Sequence, residues 1–90
     1  MTQLHNDTAR HRYELTIDGQ VCFVDYQEQA GTVLLMHVEV PPALRGSGAA
    51  STLMQAVMDE IGEQKRKAKP ICSYAAVWLQ RHRDYHALVA

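Results

Sequence analysis

From His11 onward, apolar and polar residues alternate. Tyr13, Leu15 and Ile17 interleave with Arg12, Glu14 and Thr16, the period-two pattern of a strand with one face buried. Asp18-Gly19 interrupts the alternation, and both residues tolerate positive φ, so a type I′ hairpin is expected with Val21 to Tyr26 as the returning strand. Gln29-Ala30-Gly31 makes a second reversal into a strand from Val33 to Val40. The result is a three-stranded antiparallel meander. On its third strand Leu34, Met36, Val38 and Val40 are expected to point one way, as the apolar face, and Leu35, His37 and Glu39 the other.

The period then changes. Ala50, Leu53, Met54, Val57, Met58 and Ile61 recur at helical spacing, with Ser51, Thr52, Gln55, Asp59 and Glu60 on the opposite side, which predicts an amphipathic helix packed on the apolar face of the sheet. Gly62 or the Lys65 to Lys69 cluster marks its end, and Pro70 stops any continuation. Ile71 to Tyr74 reads as a short strand. Strand, loop, helix and strand in this order form a right-handed crossover, which places the last strand parallel to the third and beside it. Tyr74 or Ala75 to Arg81 predicts a further helix and Asp84 to Val89 a short terminal one. Met1 to Arg10 is polar and aperiodic, and is read as a mobile leader ahead of a single α+β domain over residues 11–90.

Composition narrows the partners more than the fold. The 90-residue chain carries a formal net charge of −1, and its cations cluster only at Lys65-Arg66-Lys67-Ala68-Lys69, so nothing asks for nucleic acid. No apolar stretch reaches the length of a membrane span, and the N-terminus lacks the charge and apolar core of a signal peptide. A cytoplasmic protein with no membrane partner is expected. Cys22 and Cys72 each fall in a predicted strand with no short-spaced partner, so reduced thiols are the default. His82 and His86 have the i, i+4 spacing of a metal pair, but the zincin Glu is missing and the flanks are polar, so no metal site is predicted.

The candidate chemistry lies between the third strand and the helix, at Pro41-Pro42-Ala43-Leu44-Arg45-Gly46-Ser47-Gly48. A strand feeding a Gly-rich loop that opens a helix aims several backbone N–H groups at one spot, where the helix dipole adds roughly half a positive charge. Gly46 and Gly48 let the backbone approach an anion closely, and Arg45 can add a bidentate contact. A phosphorylated small molecule is the expected ligand; the alternative is that Gly-Ser-Gly is a plain connector. The P-loop pattern needs Lys-Ser/Thr after its last glycine, where this chain has Ala49-Ala50, and the dinucleotide fingerprint needs a third small position and a later acidic residue.

The segment Val40-x-Pro42-x-x-Arg45-Gly46-x-Gly48-x-Ala50 resembles the coenzyme A loop of the GCN5-related N-acetyltransferases, whose pattern is Gln/Arg-x-x-Gly-x-Gly/Ala. His37-Val38-Glu39-Val40-Pro41 before it and Pro70-Ile71-Cys72-Ser73-Tyr74 after the helix resemble the small, single-domain branch of that superfamily. The resemblance implies a GNAT-like fold, with acetyl-CoA as cofactor and acetyl transfer to a primary amine as activity. It implies that the diphosphate accepts N–H bonds from Gly46, Ser47, Gly48, Ala49 and Ala50. It also implies that the pantetheine arm runs along the edge of Val38 to Val40, where the neighbouring strand splays away.

Transfer to an amine requires a base and a proton donor for the departing thiolate. Glu39 and His37 are the base candidates, either of which could instead be an ordinary hydrogen-bonded strand residue. Tyr74 is the candidate acid, with core packing as its other reading. Cys72 could take the acetyl group and pass it on, form a mixed disulfide with coenzyme A, or serve only as packing. The full-sized enzymes carry helices between their first two strands, and Ile17-Asp18-Gly19-Gln20 replaces these with a bare turn. That argues for an open acceptor side: a large acceptor, a site completed by a second subunit of a homodimer, or no catalysis. The rival functions are a non-catalytic coenzyme A or acyl-CoA binding module and a plain interaction domain.

Overall fold

Two tight turns with positive φ organise the sheet. The computed structural model describes residues 3–90 of the chain. Five strands lie in the order β1 (His5–Asp7), β2 (Arg12–Ile17), β3 (Gln20–Gln29), β4 (Thr32–Glu39) and β5 (Lys67–Pro70), antiparallel from β1 to β4 and parallel between β4 and β5. Asp18 and Gly19 at φ 50° and 75° join β2 to β3, as the type I′ expectation requires, and Ala30 and Gly31 at 51° and 83° join β3 to β4. A 3-10 turn (Pro42–Leu44) leads from β4 to α1 (Ala49–Glu63), and α2 (Ser73–Arg81) and a second 3-10 segment (Arg83–Leu88) follow β5. The expected α+β class and meander are what the chain adopts.

The core lies between the sheet and α1. Leu53, Met54, Val57, Met58 and Ile61 of α1 are fully buried against Tyr13, Leu15, Cys22, Val24, Tyr26, Val33 and Leu35, the apolar stripe that drives helix-on-sheet packing. Ala75, Trp78 and Leu79 of α2 complete the same cluster beside α1. Among the described residues no helix is long and apolar enough to cross a membrane.

The sidedness of β4 differs from strict alternation. Tyr26 of β3 faces Leu35, whereas Asp25 faces His37 and Val24 faces Val38, so Met36 is an extra residue opposite the Asp25/Tyr26 step. Such a bulge turns the strand over. Before it, Val33 and Leu35 are the buried pair; after it, Val38 and Val40 pack toward the core. The expected face of Leu34, Met36, Val38 and Val40 is therefore corrected in its first half. His37 and Glu39 lie with their cross-strand partners Asp25 and Phe23 on the solvent-facing side, away from α1.

The last strand is also displaced from its expected place. It occupies Lys67–Pro70 rather than Ile71 to Tyr74, and within it only Ala68 is buried, between exposed lysines. One apolar residue between two cations reads as loop. Ile71 and Cys72 instead donate both of their N–H groups to Leu35 O at 3.0 Å, and the chain turns into α2 there. Cys72 thereby becomes the residue that precedes the first turn of α2, and Tyr74 a residue of that turn.

α1 continues past Gly62 and closes at Lys65. Lys65 takes φ 56°, its N–H donates to Gly62 O at 3.0 Å, and Arg66 N–H donates to Ile61 O at 3.1 Å, a Schellman closure with a lysine in the left-handed position. Gly62 is a packing position: a Cβ there would lie 3.1 Å from the Leu88 side chain.

The segment expected to be a leader carries β1, whose residues His5–Asp7 pair with Arg12–Glu14. Tyr26 Oη donates to Asn6 Oδ1 at 2.7 Å, and Leu4 packs against the core. A three-residue edge strand held by backbone pairs needs no apolar period, which is why the pattern concealed it. Met1 and Thr2, the first two residues of that leader, lie outside the described residues.

Candidate functional site

The strand-to-helix connection forms the wall of an open cleft of about 280 Å³. Pro42–Leu44 tightens into a 3-10 turn in which Leu44 and Arg45 donate to Pro41 O and Pro42 O, and Leu44 anchors it in the core. Gly46 and Gly48 then take φ 84° and 87°, the region L side chains avoid. Gly48 precedes α1 directly and makes no side-chain capping bond. The cleft is lined by Val40, Leu44, Arg45, Gly46, Gly48, Ala49, Ala50, Ser51 and Tyr74.

The first-turn N–H groups of a helix have no intrahelical partner. Among the described residues, no side chain caps Ala49, Ala50 or Ser51, and the first bond back into this turn is from Thr52 N–H to Gly48 O at 3.1 Å. These donors open on a cleft with Arg45 on its wall, the arrangement that suits an anion. A coenzyme diphosphate therefore fits the residues present. Ser47 is arranged differently from its neighbours: its N–H donates to Leu44 O at 3.1 Å and its hydroxyl to the same oxygen at 2.5 Å.

The expected splay is present beside this cleft. β4 and β5 pair only from Thr32 to Leu35, and the N–H groups of Ile71 and Cys72 close on Leu35 O before the chain departs into α2. Among the described residues, Met36 to Val40 have no strand neighbour on that side. Val38 does not line the cleft with Val40, but its backbone belongs to this unpaired edge.

The candidate catalytic residues fall into two groups. His37 and Glu39 lie on the solvent-facing side of β4, where His37 Nε2 donates to Glu39 Oε2 at 2.8 Å. Arg45 Nη2 donates to the other carboxylate oxygen, Oε1, at 3.4 Å, and Arg45 Nε to Val40 O at 3.4 Å. Across the sheet Arg12 donates to Asp25 Oδ1 at 2.7 Å and lies 3.8 Å from the Phe23 ring centre, next to His37. Tyr74 lines the cleft from α2, and its partial burial pushes the hydroxyl pKa upward. Cys72, a free thiol of intermediate exposure, lies where β5 leaves β4.

Two lining residues escaped the sequence pattern. Leu44 reads as part of a proline turn, and its burial depends on how that turn folds back. Ser51 lies three residues after Gly48, in the first turn of α1, and accepts a hydrogen bond from Trp78 Nε1 at 2.8 Å; its place after the loop was the available signal. His82 and His86 donate to the carbonyls of Trp78 and Leu79 at 2.7 and 2.9 Å, which secures the end of α2. Among the described residues no group of three His, Cys, Asp or Glu side chains is placed to hold a metal ion.

A mixed sheet that opens beside an Arg-Gly-Ser-Gly loop, with a helix rising from that loop, is an acetyltransferase-type α+β architecture. The family model described as GCN5-related N-acetyl-transferase matches residues 12–88, and the chain belongs to that family. It is similar to Protein NATD1 of Xenopus tropicalis, with 31% identity over 84 residues, covering 89% of this chain and 76% of that protein. Protein NATD1 of Danio rerio is 33% identical over 76 residues, covering 80% of this chain and 68% of the relative. The solution structure of a GCN5-like protein from Staphylococcus aureus superimposes with a TM-score of 0.74 at 18% identity, over 98% of this chain and 87% of the other, and so shares its fold.

Proposed function

We propose that the protein binds acetyl-CoA in the loop cleft and transfers its acetyl group to a primary amine. The observation that carries this reading is the set of uncapped amides at the start of α1, facing a cleft with Arg45 on its wall. Gly46, Gly48, Ala49 and Ala50 would hold the diphosphate through their N–H groups, with Ser51 adding a hydroxyl and Arg45 a charge. The free edge from Val38 to Val40 would receive the pantetheine amides as an added strand does. Acetyl-CoA, when bound, supplies an activated thioester.

The chain's own residues then manage protons. Glu39, with His37 on one carboxylate oxygen, is an acceptor for the proton of an incoming ammonium group. Tyr74 remains protonated at neutral pH and lines the cleft, so it is the donor to the departing sulfur. In an alternative two-step relay the Cys72 sulfur would take the acetyl group, coenzyme A leaving as its free thiol, and the amine would then displace the cysteine as a restored thiol. The bare turn at Asp18-Gly19 leaves the acceptor side open, which favours a large acceptor or one wall supplied by a second copy of the chain. The free thiols of Cys22 and Cys72 favour a cytoplasmic setting.

Isothermal titration with coenzyme A and with dephospho-coenzyme A tests the cofactor assignment: heat with neither would leave only an interaction domain. Free thiol release from acetyl-CoA in the presence of an amine panel tests the chemistry. Turnover lost in Glu39→Gln or His37→Ala with binding retained supports the base assignment, and turnover that survives both substitutions removes it. Binding without turnover on any amine would leave a coenzyme A binding module. Mass spectrometry after exposure to acetyl-CoA, with Cys72→Ala as the comparison, tests the relay.

A further inference from the structure

Arg45 belongs to both halves of the site. It lines the cleft, and its guanidinium reaches over the end of β4 to Glu39 Oε1 at 3.4 Å while Glu39 Oε2 is held by His37 at 2.8 Å. Both carboxylate oxygens of Glu39 are therefore engaged, one by each neighbour. The bulge at Met36 separates the two groups: it sends Glu39 and His37 to the solvent-facing side while Val40 stays on the cleft side. Arg45 alone among the cleft-lining residues bonds Glu39 among the described residues.

We infer that Arg45 is a positioning residue shared by anion and base, so that occupation of the cleft by a diphosphate and release of Glu39 from its arginine are one coupled event. The inference rests on the coenzyme reading above and deepens it. A guanidinium has a fixed fork of donors, and a fork turned fully to a diphosphate is turned away from the carboxylate. Arg45 is the more exposed partner, with 64% of its side chain accessible against 38% for Glu39, so it is free to turn while Glu39 stays with His37. Glu39 thus competes with the diphosphate for one cation. By reciprocity, whatever the diphosphate does to the Arg45–Glu39 contact, that contact does to diphosphate affinity. The physical result is an ordered site, in which the base is unmasked when the cofactor is in place.

The test is a double-mutant cycle read by binding alone, using coenzyme A as the probe. Removing the Glu39 charge should tighten coenzyme A, whereas removal of an ordinary binding residue would weaken it. In the otherwise unaltered chain Glu39→Gln is expected to tighten binding about threefold at low salt, the scale of an exposed ion pair. In an Arg45→Gln background the same change should tighten it by less than about 1.5-fold, because only direct repulsion between Glu39 and the phosphates remains. Both side chains are on the surface, so neither substitution disturbs the core, and NMR shift titration to millimolar ligand reads even the weakest variant. The difference between backgrounds should shrink as salt is raised. Equal tightening in the two backgrounds, or none in the first, overturns the coupling while leaving the cofactor assignment standing. Failure of the unaltered chain to bind coenzyme A removes the cofactor assignment itself.

Discussion

Trp78 and Ser51 are 27 residues apart in sequence and joined by a hydrogen bond of 2.8 Å from the indole N–H to the serine oxygen. The bond fastens α2 to the first turn of α1 and leaves the Ser51 hydroxyl hydrogen free to face the cleft. Trp78→Phe keeps an aromatic ring in the core and deletes the donor. It should lower stability by about 1 kcal/mol in urea unfolding and weaken coenzyme A binding by about twofold through a less ordered Ser51. An unchanged affinity would mean that Ser51 only packs.

Gly48 takes φ 87° with nothing within 4 Å of an added Cβ. Gly48→Ala therefore meets no clash, and its cost is backbone strain alone, about 1–2 kcal/mol. The chain can relieve this only by rotating the peptide that aims the first α1 amides. Coenzyme A affinity should then fall together with the thermal midpoint. A variant that loses stability with affinity intact would separate the loop conformation from ligand binding.

Lys65 holds the left-handed position that closes α1. Glycine carries no Cβ penalty there, so Lys65→Gly should stabilise the chain by about 1 kcal/mol, read as a higher urea midpoint at unchanged slope. Lys65 is exposed and lies outside the cleft, so coenzyme A binding should not change.

Tyr13 is pushed up to about 12, first by burial and then by its neighbour Tyr26, and Tyr85 is pushed up to about 12 by burial and its hydrogen bond to Asp59. An unfolded tyrosine ionises near 10. Between those values the folded chain keeps protons that the unfolded chain has released, so stability is intact below about pH 10 and falls as pH rises toward 12. Tyrosinate absorbance should rise with unfolding over that interval. The Tyr13 hydroxyl is buried with no partner among the described residues, so Tyr13→Phe should flatten the alkaline loss and raise neutral-pH stability by about 1 kcal/mol. A destabilised Tyr13→Phe would reveal a partner for that hydroxyl.

The legible parts of this chain were those with a strong local cause. The Asp18-Gly19 turn, the stripe from Leu53 to Ile61 and the Arg45 to Ala50 loop each specify their conformation through residue type and spacing. β5 escaped because its pairing comes from backbone contact with Thr32 to Leu35, and a single buried alanine between lysines gives no period. β1 escaped for the same reason at the opposite edge. The partner of Arg45 was equally hidden, since it depends on which way Glu39 faces, and the register of β3 against β4 decides that.

One inserted residue therefore governs where the chemistry can happen. Were Met36 paired in step, with no residue left over, Val38 and Val40 would be offered to water, and a histidine and a glutamate would be driven under α1. The contrast between the greasy and the reactive ends of this strand is thus a matter of counting as much as of composition. A kindred chain whose strand ran through this point without the bulge would keep the same letters around its phosphate loop and present its would-be base to the wrong side of the sheet.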